Sequence, residues 1–261
     1  MNAGTKINVF GNKCIFNEKW GICLWGGACI TAEGNVCAKN EKQGIYVIGN
    51  GTNATLRKNT CRRNGSCGIT FTNGSQGVIE KNICEENKSS GIGIACKNTP
   101  IYVRENTCRA NYLDGITFSY CAPITVEKNV CINNDVHGIM FMENAKGTAE
   151  ENICEGNGHP GITILGTGTT VTLRKNLCRQ NYHSGIEFVN GATGSAIANT
   201  CEDNPWSGIA IRGKGTDPNI EDNQCNNNGV WGIICWAEAQ PVIADDNITS
   251  NNGKAGIKRR D

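Results

Sequence analysis

The residues best suited to chemistry are the chain's three histidines, His137, His159 and His183, which follow one another at intervals of 22 and 24 residues. The carboxylates that accompany them are Asp114, Asp135 and Glu187. Imidazole beside carboxylate is suited to general acid–base catalysis near neutral pH, and it also binds divalent transition metals. We take these six residues as candidate catalytic residues, with no metal site and no cofactor assigned. The alternative is that three histidines share a polar corner by chance.

Aromatic residues suggest a second kind of site. The candidate ligand-binding residues are Tyr112 and Tyr182, close to the histidines in the pattern, and Trp206 and Trp231 nearer the end of the chain. Exposed aromatic rings stack on sugar rings and also anchor protein partners. The alternative for the tryptophans is that they cover open ends of the fold, where strand edges would otherwise be unpaired.

These residues are positioned by a repeat that runs through the whole sequence. Ten copies of Asn-x-Cys and an eleventh reading Asn247-Ile248-Thr249 follow one another every 23 or 24 residues. A second Asn lies five residues after each motif Asn, and Gly-Ile begins nine residues after it, without exception. Self-similarity at a short fixed period indicates a solenoid, and no break in composition divides it. We therefore expect one domain over residues 1–261.

Within each repeat, apolar residues alternate with polar ones in short runs, as in Gly44-Ile45-Tyr46-Val47. This two-residue period is typical of strands, whereas the Gly and Asn content disfavours helices. The parity of the alternation changes between runs, which indicates a corner. Each repeat therefore predicts three short strands and three corners, and successive repeats stack about 4.8 Å apart. The prediction is an all-β solenoid of about eleven coils of 23–24 residues with three parallel sheets.

The pattern Asn-x-φ-x-x-Asn-x-x-x-Gly-Ile-x-φ resembles the right-handed parallel β-helix repeat over the whole chain. That superfamily includes pectate-lyase-like enzymes, alginate epimerases and F-box-associated repeats. The resemblance implies a single-stranded, right-handed parallel β-helix. It says little about activity, because the matching residues are those that build the coil. The Asp-Pro-His of alginate epimerases and the calcium-aspartate and arginine set of pectate lyases are not found.

Stacked asparagines and cysteines are interpreted as structural. Asn is able to adopt the left-handed conformation of a corner, and its amide is able to bond to the coils above and below. Cysteines stacked in one column point the same way, with Cβ atoms too far apart for disulfides and without the convergence that zinc requires. We therefore expect buried, reduced thiols, which favours a reducing compartment such as the cytoplasm.

Charged residues form two further columns in which the sign mostly alternates from coil to coil. The column two positions before the motif Asn reads Arg57, Glu80, Arg104, Glu127, Glu150 and Arg174. Opposite charges on neighbouring strands favour one register. A solvated ladder of this kind is the simpler interpretation than a charged binding track.

Composition excludes several function classes. Lys and Arg total 25 and Asp and Glu total 24, so the net charge of +1 does not fit a basic nucleic-acid-binding protein. No apolar run approaches the roughly 18 residues needed to span a membrane, and no signal peptide is visible at the start. We therefore predict neither a nucleic acid nor a membrane as a partner.

Three functions fit these observations. The first is a rigid recognition scaffold for an extended polysaccharide or protein, because repeat solenoids present long flat faces. The second is a polysaccharide lyase or epimerase that uses the histidine and carboxylate cluster. The third is a structural spacer or self-assembling unit, with end-to-end self-association or neighbouring domains in a longer chain.

Overall fold

A computed structural model of the protein describes residues 5–97 and 99–259. In this part of the chain, 33 strands form three sheets of eleven strands each, and no helix is present. Each coil contributes one strand to each sheet, so coil 1 is β1–β3 and coil 11 is β31–β33. Strands three apart in the chain are neighbours in a sheet and run parallel. The predicted all-β solenoid of about eleven coils with three parallel sheets is confirmed.

The first sheet comprises β1 Lys6–Phe10, β4 Cys29–Glu33, β7 Asn53–Arg57, β10 Gln76–Glu80, β13 Ile101–Arg104, β16 Ile124–Glu127, β19 Lys146–Glu150, β22 Thr170–Arg174, β25 Thr193–Ile197, β28 Asn219–Glu221 and β31 Val242–Ile243. The second comprises β2 Lys13–Ile15, β5 Val36–Ala38, β8 Thr60–Arg62, β11 Ile83–Glu85, β14 Thr107–Arg109, β17 Val130–Ile132, β20 Ile153–Glu155, β23 Leu177–Arg179, β26 Thr200–Glu202, β29 Gln224–Asn226 and β32 Ile248–Ser250. The third comprises β3 Ile22–Trp25, β6 Ile45–Ile48, β9 Ile69–Thr72, β12 Ile92–Ala95, β15 Ile116–Ser119, β18 Ile139–Met142, β21 Ile162–Leu165, β24 Ile186–Val189, β27 Ser207–Arg212, β30 Trp231–Trp236 and β33 Ala255–Arg259.

The cysteines of the Asn-x-Cys motif stand in single file along the second sheet. Cys84 is directly opposite Cys61 on one side and Cys108 on the other, and Thr249 continues the file after Cys225. All sixteen cysteines are free thiols. Burial raises the pKa of Cys84 well above its ordinary value, because the thiolate would lose its hydration. The column is a buried apolar element of the core.

Two asparagine ladders join every coil to the next. Asn82 donates from both its backbone N–H and its Nδ2 to Oδ1 of Asn106, at 3.0 and 2.9 Å, and its Nδ2 also donates to the carbonyl of Leu56. The asparagines themselves do not hold the left-handed conformation that the sequence analysis expected of them. The residue before each one does, as at Lys81 and Glu86, except at Asp246 in the last coil. The corner is turned one residue earlier, which leaves the asparagine free to aim its amide along the solenoid axis.

The glycine of the Gly-Ile pair is required by close approach of neighbouring coils. A Cβ on Gly138 would lie 2.5 Å from the carbonyl oxygen of Gly161 and 2.8 Å from Sγ of Cys154. The isoleucine that follows is fully buried in most coils, and a file of phenylalanines packs beside it. Phe118 and Phe141 stack with ring centroids 5.0 Å apart. Gly-Ile is therefore a packing signature.

The charged columns form ion pairs between coils. Arg104 contacts Glu80 at 2.7 Å, Arg109 contacts Glu85 at 2.6 Å, and Arg179 contacts Glu155 at 2.9 Å. These side chains lie on solvated outer faces, where each pair contributes only about 0.2–1 kcal/mol. No stretch within residues 5–97 and 99–259 forms a helix that is long and apolar enough to cross a membrane.

Candidate functional site

The histidines lie at the corner that leads from the second sheet into the third. Each coil turns here between its second ladder asparagine and its Gly-Ile pair. His137 directly precedes its glycine, whereas His159 and His183 lie two positions before theirs. The three therefore occupy two neighbouring columns on the edge of the third sheet. The outward column of that sheet contains Thr163 and Glu187 beside them.

Asp114 and His137 hold equivalent positions one coil apart and form a hydrogen-bonded pair. Nδ1 of His137 lies 2.8 Å from Oδ1 of Asp114, and the backbone N–H of His137 donates to the same oxygen at 3.0 Å. Thr117 donates to the other carboxylate oxygen at 2.6 Å. Burial opposes ionisation, but these hydrogen bonds outweigh it and hold the pKa of Asp114 below its usual value. An ionised carboxylate only accepts, so Nδ1 of His137 carries a proton, and Nε2 presents a lone pair whenever the imidazole is neutral.

His159 and His183 extend the row toward the C-terminal coils. The His159 ring lies 5.4 Å from the His137 ring between centroids, at an interplanar angle of 57°. The His183 ring stacks on Trp206 at 4.6 Å and 18°. Burial lowers the pKa of His183, an effect that nearby Glu187 partly offsets. Four successive coils thus contribute one ring each along the axis, and the rings contact in two pairs, His137 with His159 and His183 with Trp206.

Beneath this row lies a layer of polar groups. Glu187 is 4 % exposed and accepts a hydrogen bond of 2.9 Å from Nε of Arg212. Oγ1 of Thr163 and Nδ1 of His183 are buried and have no hydrogen-bond partner within the described protein. A buried polar atom without a partner costs roughly 1–3 kcal/mol. The layer beneath the row is therefore polar but not fully satisfied.

Trp206 and Trp231 form a hollow next to the histidine row. Together with Trp236 and Lys254 they line a cavity of about 350 Å³ on the face of the third sheet. The ammonium of Lys254 lies 5.6 Å from the centre of the Trp231 ring. Trp206 is 53 % exposed and lies between the hollow and His183. The structure thus brings both predicted tryptophans to one place beside the histidines.

The remaining predicted residues lie one column away. Asp135 and Tyr182 line a separate groove on the corner, with neither residue hydrogen-bonded to a histidine in the described part of the chain. Tyr112 is 63 % exposed and occupies the same column as Asp135. The sequence grouped these side chains with the histidines because coil position alone does not tell which way a corner residue points.

Two contributors, Thr117 and Arg212, were not identified from the sequence. Counting two or four positions beyond each Gly-Ile glycine places them on the outer face of the third sheet, so the repeat did contain a signal for them. Among the described residues, no group of three or more His, Cys, Asp or Glu side chains is arranged to hold a metal ion. The arrangement is suited to stacking, hydroxyl recognition and proton transfer.

Comparison with known proteins agrees with this architecture. The family model described as "Right handed beta helix region" matches residues 1–149 and 131–259. The A-module of the mannuronan C-5 epimerase AlgE6 of Azotobacter vinelandii superimposes with a TM-score of 0.72 at 15% identity, covering 98% of this chain and 86% of that one. A double mutant of the periplasmic alginate epimerase AlgG gives 0.61 at 14% identity, covering 89% and 71%. No curated protein matches the sequence. At these identities the likeness establishes the fold alone.

Proposed function

The chain belongs to the right-handed beta helix family, and on that premise we propose that it binds an extended polysaccharide along the outer face of its third sheet. The observation that supports this most directly is the row of rings from His137 to Trp206, which is contributed by four successive coils. A row that follows the solenoid axis suits a ligand that repeats along its length. The solved structures with this fold include enzymes named for alginate and mannuronan, which are polysaccharides.

The chemistry of the face is consistent with sugar. Trp206 offers an exposed aromatic surface, and the hollow beside it is lined by further indole rings. Aromatic faces pack against the apolar faces of sugar rings, and imidazole nitrogens bond to sugar hydroxyls. A protein partner is the competing occupant. The proposal favours polysaccharide because imidazole and indole rings follow one another from coil to coil here.

The proposal is tested by replacing Trp206. Trp206→Ala is compared with Trp25→Ala, which removes a similarly exposed indole at coil 1 of the same sheet. Binding is measured by calorimetry against soluble alginate, pectate, xylan and glucomannan. We expect at least one polysaccharide to bind, with affinity about tenfold weaker in Trp206→Ala, near 1.4 kcal/mol, and unchanged in Trp25→Ala. Equal losses in both variants, or no polysaccharide binding at all, would contradict the proposal.

A second candidate function, polysaccharide lyase or epimerase, is favoured by the Asp114–His137 pair. With its Nδ1 proton held by the carboxylate, His137 has Nε2 placed to accept the C5 proton of a uronate. In a lyase, the electron pair then forms a C4–C5 double bond, the C4–O bond breaks, and His159 donates a proton to the leaving oxygen. In an epimerase, His137 keeps the proton that it removed, and a second acid on the opposite face of the sugar ring donates a proton to C5.

Binding ranks above catalysis because of Arg212. Removing a proton beside a carboxylate requires positive charge to stabilise the developing dianion. Arg212, the arginine next to the cluster, has its Nε committed to Glu187 at 2.9 Å. The catalytic candidate predicts unsaturated products that absorb ultraviolet light, or altered C5 stereochemistry by NMR, lost in His159→Ala. If neither product is detected with any of the four polysaccharides, the catalytic function is ruled out, whereas the binding proposal is unaffected.

A further inference from the structure

A groove lies one column away from the histidine row, on the same corner of coils 6–9. It has a volume of about 840 Å³. Its walls include Asp135 from coil 6, Gln180 and Tyr182 from coil 8, and Asp203 from coil 9, and its floor includes Gly156 of coil 7. Two coil spacings of about 4.8 Å separate the walls of coils 6 and 8, a width suited to one sugar ring.

Coil 7 has no side chain at one position along this groove. Gly156 holds the left-handed position before a ladder asparagine, with φ of 64°. The backbone does not require glycine there, since the ten equivalent positions all carry side chains, including Asn133 and Gln180 at φ of 53°. A Cβ on Gly156 would clash with Oδ1 of Asn133, so a side chain at Gly156 requires the Asn133 side chain to turn away. The missing side chain therefore opens space without relieving backbone strain.

The lining determines what the groove accepts. Gln180 both donates and accepts hydrogen bonds, while Asp135 and Asp203 accept them when ionised. Tyr182 is 73 % exposed and supplies an aromatic surface. Among the described residues that line the groove, none is lysine or arginine. Hydroxyl groups satisfy such a set, whereas an anionic sugar would meet two carboxylates without a compensating cation.

We propose that this groove is a second carbohydrate site, which binds one neutral sugar unit of a polysaccharide through Tyr182, Gln180 and the two aspartates. It differs from the histidine row in position and in charge preference. The site does not depend on the proposed function of the third sheet, because the groove would select neutral sugars even if that face bound a protein.

The experiment fills the groove and compares it with a matched position. Gly156→Gln introduces the side chain that coil 8 carries at the same left-handed position, and Ala110→Gln makes the same change on coil 5, where φ is 51°. Tyr182→Ala removes the aromatic wall from a highly exposed position. The probes are mannohexaose, cellohexaose and xylohexaose as neutral ligands and hexamannuronate as the anionic one, with binding measured by calorimetry.

We expect a neutral hexasaccharide to bind the unmodified protein and to bind at least tenfold more weakly to Gly156→Gln and to Tyr182→Ala. Ala110→Gln should retain its binding, and hexamannuronate binding should not change in Gly156→Gln. Absence of neutral-sugar binding to the unmodified protein would overturn the proposal, as would equal losses in Gly156→Gln and Ala110→Gln. Since Trp206→Ala reports on the third sheet separately, failure of one site is distinguishable from failure of the other.

Discussion

Nδ1 of His137 lies 2.8 Å from Oδ1 of Asp114, and this contact joins equivalent positions of two adjacent coils. The side chains of the pair are 17% and 13% exposed, so the contact is largely shielded from solvent. Because Asp114 also accepts from Thr117 and from the backbone of His137, its carboxylate is fixed by three donors. The pair therefore fixes both the orientation and the tautomer of one imidazole in an otherwise exposed row.

Asp114→Asn tests this arrangement directly. The amide fills the same space, but its NH₂ must face one of the donors that the carboxylate now accepts. We expect a loss of about 1–3 kcal/mol in the free energy of unfolding, the usual cost of an unsatisfied buried group. We also expect His137 to lose its fixed Nδ1–H tautomer, which ¹⁵N NMR of the imidazole at pH 8 would reveal. An unchanged tautomer would show that something other than Asp114 orients the ring.

The lowered pKa of His183 predicts a pH dependence of stability. Burial makes protonation less favourable in the folded protein than in the unfolded chain, whose histidine pKa is about 6.5. The unfolded state therefore binds more protons, and stability falls as pH drops through about 6.5 and below. His183→Phe keeps a ring to stack on Trp206 and should reduce this loss. Urea unfolding at pH 8 and pH 5.5 measures the effect, with His159→Phe as the exposed control. The same pH dependence of stability in the unmodified protein and in His183→Phe would refute the prediction.

The asparagines of one ladder should not contribute equally to stability along the solenoid. Asn129 accepts from the N–H and Nδ2 of Asn106 and donates to Asn152 and to the carbonyl of Val103. Asn129→Ala leaves several of these buried groups without partners, so we expect a loss above about 3 kcal/mol in urea unfolding. Asn12→Ala is the control, since Asn12 is exposed and lies in the first coil. Similar losses in the two variants would show that burial does not set the strength of the ladder.

The strand register could be predicted from the sequence, because each coil repeats the same asparagine, cysteine and Gly-Ile positions. Counting from one motif asparagine to the next places Cys84 between Cys61 and Cys108, as the strand pairing has it. Side-chain direction at the corners was harder to obtain. A shift of one position separates His137 from the column of His159, and the alternation rule that orients strand residues does not apply within a turn.

The contact between Glu187 and Arg212 illustrates the same difficulty. The two residues are 25 positions apart and lie in different outward columns of neighbouring strands, with Glu187 opposite Ala210 in the register. The pair forms only because the long arginine side chain reaches diagonally across to the adjacent coil. Period arithmetic finds residues that are directly opposite, but a diagonal pair depends on side-chain length and rotamer. The pairing of the Glu187 carboxylate with the Arg212 guanidinium could therefore be recognised only in the structure.

Reversing Arg104 tests whether the charged columns contribute to register and stability. Arg104 contacts Glu80 on one side and lies opposite Glu127 on the other, with Glu150 next in line. Arg104→Glu would place four acidic side chains in a row, replacing attraction with repulsion between strands about 4.8 Å apart. We expect a fall in stability of about 1 kcal/mol at low salt that shrinks as added salt shortens the screening length. Melting temperatures from 0.02 to 1 M NaCl measure this, and Arg104→Gln separates lost attraction from added repulsion. If Arg104→Glu melted at the same temperature as the unmodified protein at every salt concentration, the charged column would not contribute to holding the coils in register.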